Sequence, residues 1–276
     1  MCGINSEPLF ISIFEFKTNF NPTILQNRYF IQLSYNGKAY HGWQLQENAV
    51  SVQEIVNKSL TTILREEINV VGAGRTDTGV HAEYYIAHFD LDQQIQDKGL
   101  FLNKINKVLP HDIAAYELFK VDNNANARFD AISRTYEYRI SLTKNPFIED
   151  FSWLYKVPLN IGQMNKAAKL LFEFEDFTSF SKLGTQVATN NCKIMEAKWI
   201  ETPNLLVFKV KADRFLRNMV RAIVGTLIDV GLSKLNLEGF CEIIEKKNRS
   251  LAGFSVPAQG LFLTHIEYPD NIFLNF

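Results

Sequence analysis

Residues 72–82 read Gly72-Ala73-Gly74-Arg75-Thr76-Asp77-Thr78-Gly79-Val80-His81-Ala82, one carboxylate framed by glycines, an arginine and small hydroxyl side chains. Glycine adopts backbone angles that a β-carbon forbids, so Gly72, Gly74 and Gly79 allow a sharp turn that a substrate can approach closely. Asp77 would stand at its crest. A neighbouring cation and backbone N–H groups there favour the charged carboxylate, which suits a nucleophile or an electrostatic stabiliser better than a proton donor. Two other chemistries compete for the same residues. An Asp beside Thr and Gly commonly makes a turn by bonding its own backbone. A dinucleotide cradle of the form G-x-G-x-x-G, begun at Gly72 and Gly74, would need its third glycine where Asp77 stands, and a carboxylate there repels pyrophosphate. Residues 83–91 also read as an aromatic-rich strand, where a cradle needs a helix, and P-loop spacing is absent.

The loop must be held by a scaffold, and the flanking sequence describes one. Ser51-Val52-Gln53-Glu54 has the form of a capping box, with Val52, Ile55, Val56, Leu60, Ile63 and Leu64 at helical spacing behind it. Strands are expected over 29–35, 69–71, 84–91 and 113–119 from alternating or β-rich patterns. A second set follows over 134–142, 153–157, 192–200, 205–212 and 261–268, interleaved with helices over 161–172 and 215–230, the latter stopped by Gly231. Single helices between strands, with little sign of tandem βαβ units, predict an α+β fold of two similar halves. The polar run Asp122-Asn123-Asn124-Ala125-Asn126 is the connection between them.

Composition narrows the function classes. The chain has 276 residues and is 46% apolar, enough for a packed core and inconsistent with disorder. Cys2, Cys192 and Cys241 are scattered without a C-x-x-C pair, and the histidines never fall at i, i+4, so neither a disulfide framework nor a metal site is expected. His81 and His88 read as structural. No apolar run approaches membrane-spanning length, and residues 1–27 lack the basic start and apolar core of a signal peptide, so they are expected to be an extension; Phe10 to Phe14 could add an edge strand. A reduced, cytoplasmic setting fits these features.

The net charge of −1 conceals a local excess: between residues 207 and 221, Lys209, Lys211, Arg214, Arg217 and Arg221 face the single Asp213. A polyanion responds to such a patch, not to the overall charge, although a charge run is commonly no more than a solvated face. On the helix expected from Phe215, Arg214, Arg217 and Arg221 would share one stripe opposite Leu216, Met219, Val220, Ile223 and Leu227. Guanidinium groups on so narrow a stripe seek carboxylate or phosphate partners. On the strand over 134–142, Arg134, Tyr136 and Tyr138 point to one face; for Tyr138 a core role is expected.

The run GAGRTDTGVHA resembles the signature of the tRNA pseudouridine synthase A family. Further matches occur in order: Leu33-Ser34-Tyr35-Asn36-Gly37, His41-Gly42-Trp43-Gln44, Asn126-Ala127-Arg128-Phe129, Arg134-Thr135-Tyr136-Glu137-Tyr138, Phe215-Leu216-Arg217-Asn218-Met219-Val220-Arg221 and Val256-Pro257-Ala258-Gln259-Gly260. Thr78 stands where the family often has alanine, and Val256 and Ala258 where it often has Ala and Pro; no reactive group is lost. The resemblance implies two ferredoxin-like α/β halves joined into one extended, mainly antiparallel sheet with a central cleft. Residues 28–125 would form the half carrying the Asp loop and residues 126–276 the other.

The implied activity is isomerisation of uridine to pseudouridine at positions 38, 39 and 40 of the tRNA anticodon stem-loop, by a homodimer, without cofactor or metal. Asp77 would be the catalytic residue, Tyr136 the platform under the target uracil and Arg221 the partner of Asp77. Arg217 and Arg214 would meet the RNA backbone, and Arg75 would hold the target nucleotide out of its stack, since chemistry on a base requires it to leave the helix. The alternatives are a non-catalytic RNA-binding or tRNA-chaperone protein of the same fold, and a synthase for other uridines.

Overall fold

The computed structural model describes residues 27–182, 184 and 189–275. The edge strand expected at residues 10–14 lies outside them, as does the extension, except that Asn27 opens the first strand. In chain order the elements are β1 (Asn27–Tyr35), α1 (Val52–Leu64), β2 (Val71–Gly72), β3 (His81–Leu91), α2 (Lys98–Val108), β4 (Ile113–Val121) and β5 (Ser133–Ser141). There follow β6 (Trp153–Leu154), α3 (Ile161–Leu170), β7 (Ile194–Glu201), β8 (Leu205–Ala212), α4 (Met219–Gly231), α5 (Leu237–Glu245) and β9 (Leu261–Glu267). The fold is α+β. The nine strands among the described residues join one sheet whose main path runs β4-β1-β3-β9-β5-β8-β7, with β2 beside β3 and β6 beside β5.

The sheet is antiparallel along that path except at its centre, where β3 and β9 run parallel through His81 opposite Phe262 and Ala82 opposite Leu263. This short seam brings the loop before β3, which carries Asp77, to the same end as the loop before β9. Two cores flank the seam. Tyr29, Ile31 and Leu33 of β1 pack with Tyr85, Ala87 and Phe89 of β3 under Val52, Val56 and Leu60 of α1. Tyr138 and Ile140 of β5 pack with Leu206 and Phe208 of β8 under Met164 of α3, Ile223 and Leu227 of α4 and Phe240 of α5. Tyr138 is fully buried and donates to the Pro257 carbonyl at 2.9 Å, a core role.

The helix starts follow their capping residues. Ser51 Oγ accepts from the Glu54 N–H at 3.3 Å at the head of α1. Helices α2 and α5, for which the periodic reading gave no expectation, begin at Asp97 and Asn236, each accepting from an N–H three residues on. Helix α2 fully buries only Phe101 and Ile105, whereas α5 carries Leu237, Phe240, Cys241 and Ile244 at helical spacing over just nine residues, a stripe that the reading of the sequence passed over. Helix α4 ends at Gly231, as expected, and the positive φ beyond it falls on Ser233, at 58°.

His88 on β3 is buried and its Nδ1 accepts from the Ala127 N–H at 3.1 Å, tying the strand to the linker. Burial, aided by Arg28, pushes its pKa down to about 4 from 6.5. The unfolded chain therefore takes up this proton at a higher pH than the folded one, and the stability due to neutral His88 is present above about pH 6.5 and lost as pH falls through about 4. Urea unfolding should show His88→Gln losing less stability than wild type between pH 7 and 4, by at most about 3 kcal/mol. Parallel curves would remove His88 from the acid response.

Candidate active site

The Asp77 loop is pinned along its length before any substrate is considered. Ala73 N–H donates to Ile86 at 2.9 Å, Tyr85 Oη donates to the Gly74 carbonyl at 2.5 Å, and Thr76 Oγ1 pairs with Tyr35 Oη at 2.9 Å. The Thr76 carbonyl accepts from Trp43 N–H at 3.3 Å, and Val80 N–H closes the turn on the Asp77 carbonyl at 3.1 Å. Gly79, at φ 77°, supplies the left-handed bend. Gly72 is required for a different reason: a β-carbon there would run into Tyr85 Oη and the Trp43 indole, whose rings stack at 4.0 Å. Gly74 has open space and no positive φ, so nothing in the structure demands glycine there.

Asp77 is held by cations from across the sheet, not from its own loop. Its Oδ1 lies 3.4 Å from Arg217 Nε and its Oδ2 4.0 Å from Arg221 Nη1. Arg75 is exposed, and among the described residues it makes no ion pair and no backbone N–H donates to the Asp77 carboxylate, contrary to the expected loop cradle. Both ion pairs are longer than the usual 2.7–2.9 Å of a charge-assisted hydrogen bond. The carboxylate thus sits in a positive field with lone pairs uncommitted, the condition an attacking oxygen needs.

The arginines do not form the stripe expected of one helix. Helix α4 begins at Met219, behind Asn218 at φ 67°, so Arg214 and Arg217 belong to the preceding loop and only Arg221 to the helix. Asparagine enters the left-handed region more readily than most residues, and its side chain here donates to Ser255 Oγ at 2.6 Å. Leu216 is buried from the loop, so the apolar spacing continues upstream of the helix it imitates. Arg221 is fixed by its Nε, which donates to the Val256 carbonyl at 2.6 Å. Arg217, assigned above to the RNA backbone, is in fact the nearer of the two to Asp77, and nothing in its spacing marked it.

Tyr136 sits edge-on to Phe215, ring centroids 5.1 Å apart. Burial pushes its phenol up to about 12, with Asp77 adding to the rise, so it is a neutral ring and hydroxyl in the working pH range. Arg134 beside it binds backbone carbonyls and no carboxylate: Nη2 donates to Ala73 at 2.9 Å and Arg128 at 2.6 Å, Nη1 to Asp213 at 2.8 Å and Ala131 at 3.2 Å. One guanidinium therefore links the Asp loop, the inter-strand linker and the basic loop. Lys209 pairs with Glu196 at 3.5 Å and Lys211 with Glu267 at 2.7 Å, which takes both out of the free positive patch. Arg214 is half-buried and has no ion pair among the described residues. Among the described residues no cluster of His, Cys, Asp or Glu could hold a metal.

The fold is an α+β sheet of nine described strands, and the loop that enters β3 at its central seam sets the Asp77 carboxylate against the guanidiniums of Arg217 and Arg221. Comparison with known proteins gives the family. A family model described as tRNA pseudouridine synthase matches residues 167–269. The chain is 51% identical over 247 residues to tRNA pseudouridine synthase A of Bacteroides fragilis, covering 89% of this chain and 98% of that protein. It is 50% identical to the protein of that name from Parabacteroides distasonis, over 89% and 98%, and 38% identical to that of a Thermoanaerobacter species, over 86% and 98%. The chain belongs to the tRNA pseudouridine synthase family.

Proposed function

We propose that this protein isomerises uridine to pseudouridine in tRNA, at positions 38, 39 and 40 of the anticodon stem-loop. The observation that carries the reading is the Asp77 carboxylate, held at 3.4 and 4.0 Å from two arginines, accepting no backbone hydrogen bond among the described residues, and close enough to the neutral Tyr136 for its charge to raise that phenol's pKa. The bond from the ribose anomeric carbon to N1 of uracil breaks, the base turns, and a bond to C5 forms. The C5 proton leaves and N1 gains one, so atoms and electrons balance without an oxidant. Asp77 either attacks the anomeric carbon or removes the 2′ proton; both need an ionised carboxylate against the sugar. Tyr136 would lie under the uracil, Arg221 and Arg217 would hold Asp77, Arg75 would keep the nucleotide extruded and Arg214 would meet phosphate.

The same reading proposes two units, residues 28–125 and 126–276, a homodimer across which the tRNA lies, and action in the cytoplasm. No helix among the described residues is long and apolar enough to cross a membrane. Mapping pseudouridine in tRNA from cells with and without the gene tests the activity. Loss at positions 38–40 is expected; an unchanged map would refute it, and loss at other uridines would relocate the substrate site.

Two results are expected at the periphery of the site. Tyr136→Ala should weaken handling of the target base by roughly 1–3 kcal/mol, the worth of one stacked base. Tyr136→Phe should stay near wild type, because the platform is the ring; alanine equal to wild type at limiting tRNA would end that assignment. Arg214→Ala should flatten the plot of log affinity against log salt by about 0.7–0.9, one phosphate contact. Lys209→Ala and Lys211→Ala should leave the slope unchanged, since Glu196 and Glu267 already neutralise them. Equal slopes for all three would make the patch a shared field.

A further inference from the structure

Phe129 lies 76% exposed, an aromatic ring left in water on the turn that enters β5. Exposure alone would not single it out, for Phe147 is 90% exposed. Three further observations do. The Arg128 guanidinium lies over the Phe129 ring, 5.5 Å from its centroid, and is itself exposed, with no ion pair among the described residues. The turn is rigid: Asn126 Oδ1 accepts from the N–H groups of Arg128 at 2.9 Å and Phe129 at 3.2 Å, and Asp130 Oδ2 accepts from Asn126 N–H at 2.7 Å. Its carbonyls are tied inward as well, Ala127 to Tyr268 Oη at 2.5 Å and Arg128 to Arg134.

The third observation is position. The Arg134 Nη2 that holds the Arg128 carbonyl also holds that of Ala73, four residues before Asp77, and Nη1 holds Asp213, next to Arg214. The turn that carries Phe129 is therefore tied through Arg134 to the Asp77 loop, which carries Arg75, and to the segment that carries Arg214; neither arginine has a carboxylate partner among the described residues. A flat apolar ring capped by a cation, on a turn tied to two segments that each carry a further arginine, has the composition of a single-strand nucleic-acid surface. A preordered ring also binds without the entropic cost of immobilising a mobile side chain.

We infer that Phe129, capped by Arg128, is a stacking platform for an unpaired nucleobase of the substrate RNA adjacent to the one that reacts at Asp77. The inference rests on the proposed action on tRNA and adds a second base contact to it. Phe129→Ala and Phe129→Trp suit the test, because so exposed a ring contributes little to folding. Equilibrium binding of an anticodon stem-loop RNA should weaken about 5- to 100-fold for alanine and stay near wild type for tryptophan. A series of RNAs with one abasic loop nucleotide each should contain one member that costs wild type a similar factor and Phe129→Ala nothing more, identifying the stacked base.

Binding by Phe129→Ala within twofold of wild type would overturn the platform. So would a dimer that turns monomeric with alanine, because the ring would then belong to an interface between copies. Turnover of the wild type is followed in the same samples. Binding without turnover would refute the proposed isomerisation, while the platform would still stand or fall on the alanine comparison.

Discussion

Asp77→Asn should lower the single-turnover rate by at least about three orders of magnitude, the scale on which loss of a nucleophile is felt, and leave tRNA affinity near wild type. The substitution preserves size and removes only the charge that Arg217 and Arg221 face. The loop should survive it, since the loop is held through the carbonyls of Ala73, Gly74 and Thr76 and not through the carboxylate. Affinity should survive because the contacts proposed for binding come from other side chains, Arg75 of the same loop among them, and the loop keeps its shape. A variant keeping more than roughly a tenth of the wild-type rate would take Asp77 out of the mechanism.

Arg221→Ala is expected to cost about a hundredfold in the rate of bound tRNA, within the range for loss of one preorganised donor, and more than Arg217→Ala. The ordering is not the ordering of distances. Arg217 is closer to Asp77 but 57% exposed, whereas Arg221 is 20% exposed and anchored on the Val256 carbonyl. Two charges 4 Å apart attract by about 1 kcal/mol in water and about 4 kcal/mol at the effective dielectric of a protein surface, so burial outweighs 0.6 Å of separation. Single-turnover rates at saturating tRNA check this. If Arg221→Ala altered only the salt dependence of binding and left the bound-state rate intact, Arg221 would be a phosphate contact.

Much of the scaffold was legible because its signals are local. The alternation from Tyr29 to Tyr35, the Ser51 cap and the polar run from Asp122 to Asn126 each act within a few residues, and the structure places β1, α1 and the β4–β5 connection there. What was not legible depends on partners distant in sequence. The seam between His81 and Phe262 joins residues that no short window compares, yet it sets the Asp loop beside the one before β9. The start of α4 was misplaced for a local reason: one left-handed Asn218 interrupts an apolar periodicity that continues through Leu216. The proximity of Arg217 to Asp77 was likewise not legible, because it joins residues 140 positions apart, and the resemblance had assigned Arg217 to the RNA backbone. Asp77 stood out from composition alone, whereas Arg134 did not, because a guanidinium that binds carbonyls from three segments leaves no pattern in any of them.

The central claim is that one carboxylate in this fold isomerises tRNA uridine. Purified wild type and Asp77→Asn, each incubated with a tRNA transcript bearing uridine at 38, 39 and 40, followed by position-resolved pseudouridine mapping, test it most directly. The account predicts pseudouridine at those positions with wild type and none above background with Asp77→Asn, at matched occupancy of bound tRNA. Equal modification by the two proteins, or none by wild type at full occupancy, would contradict it.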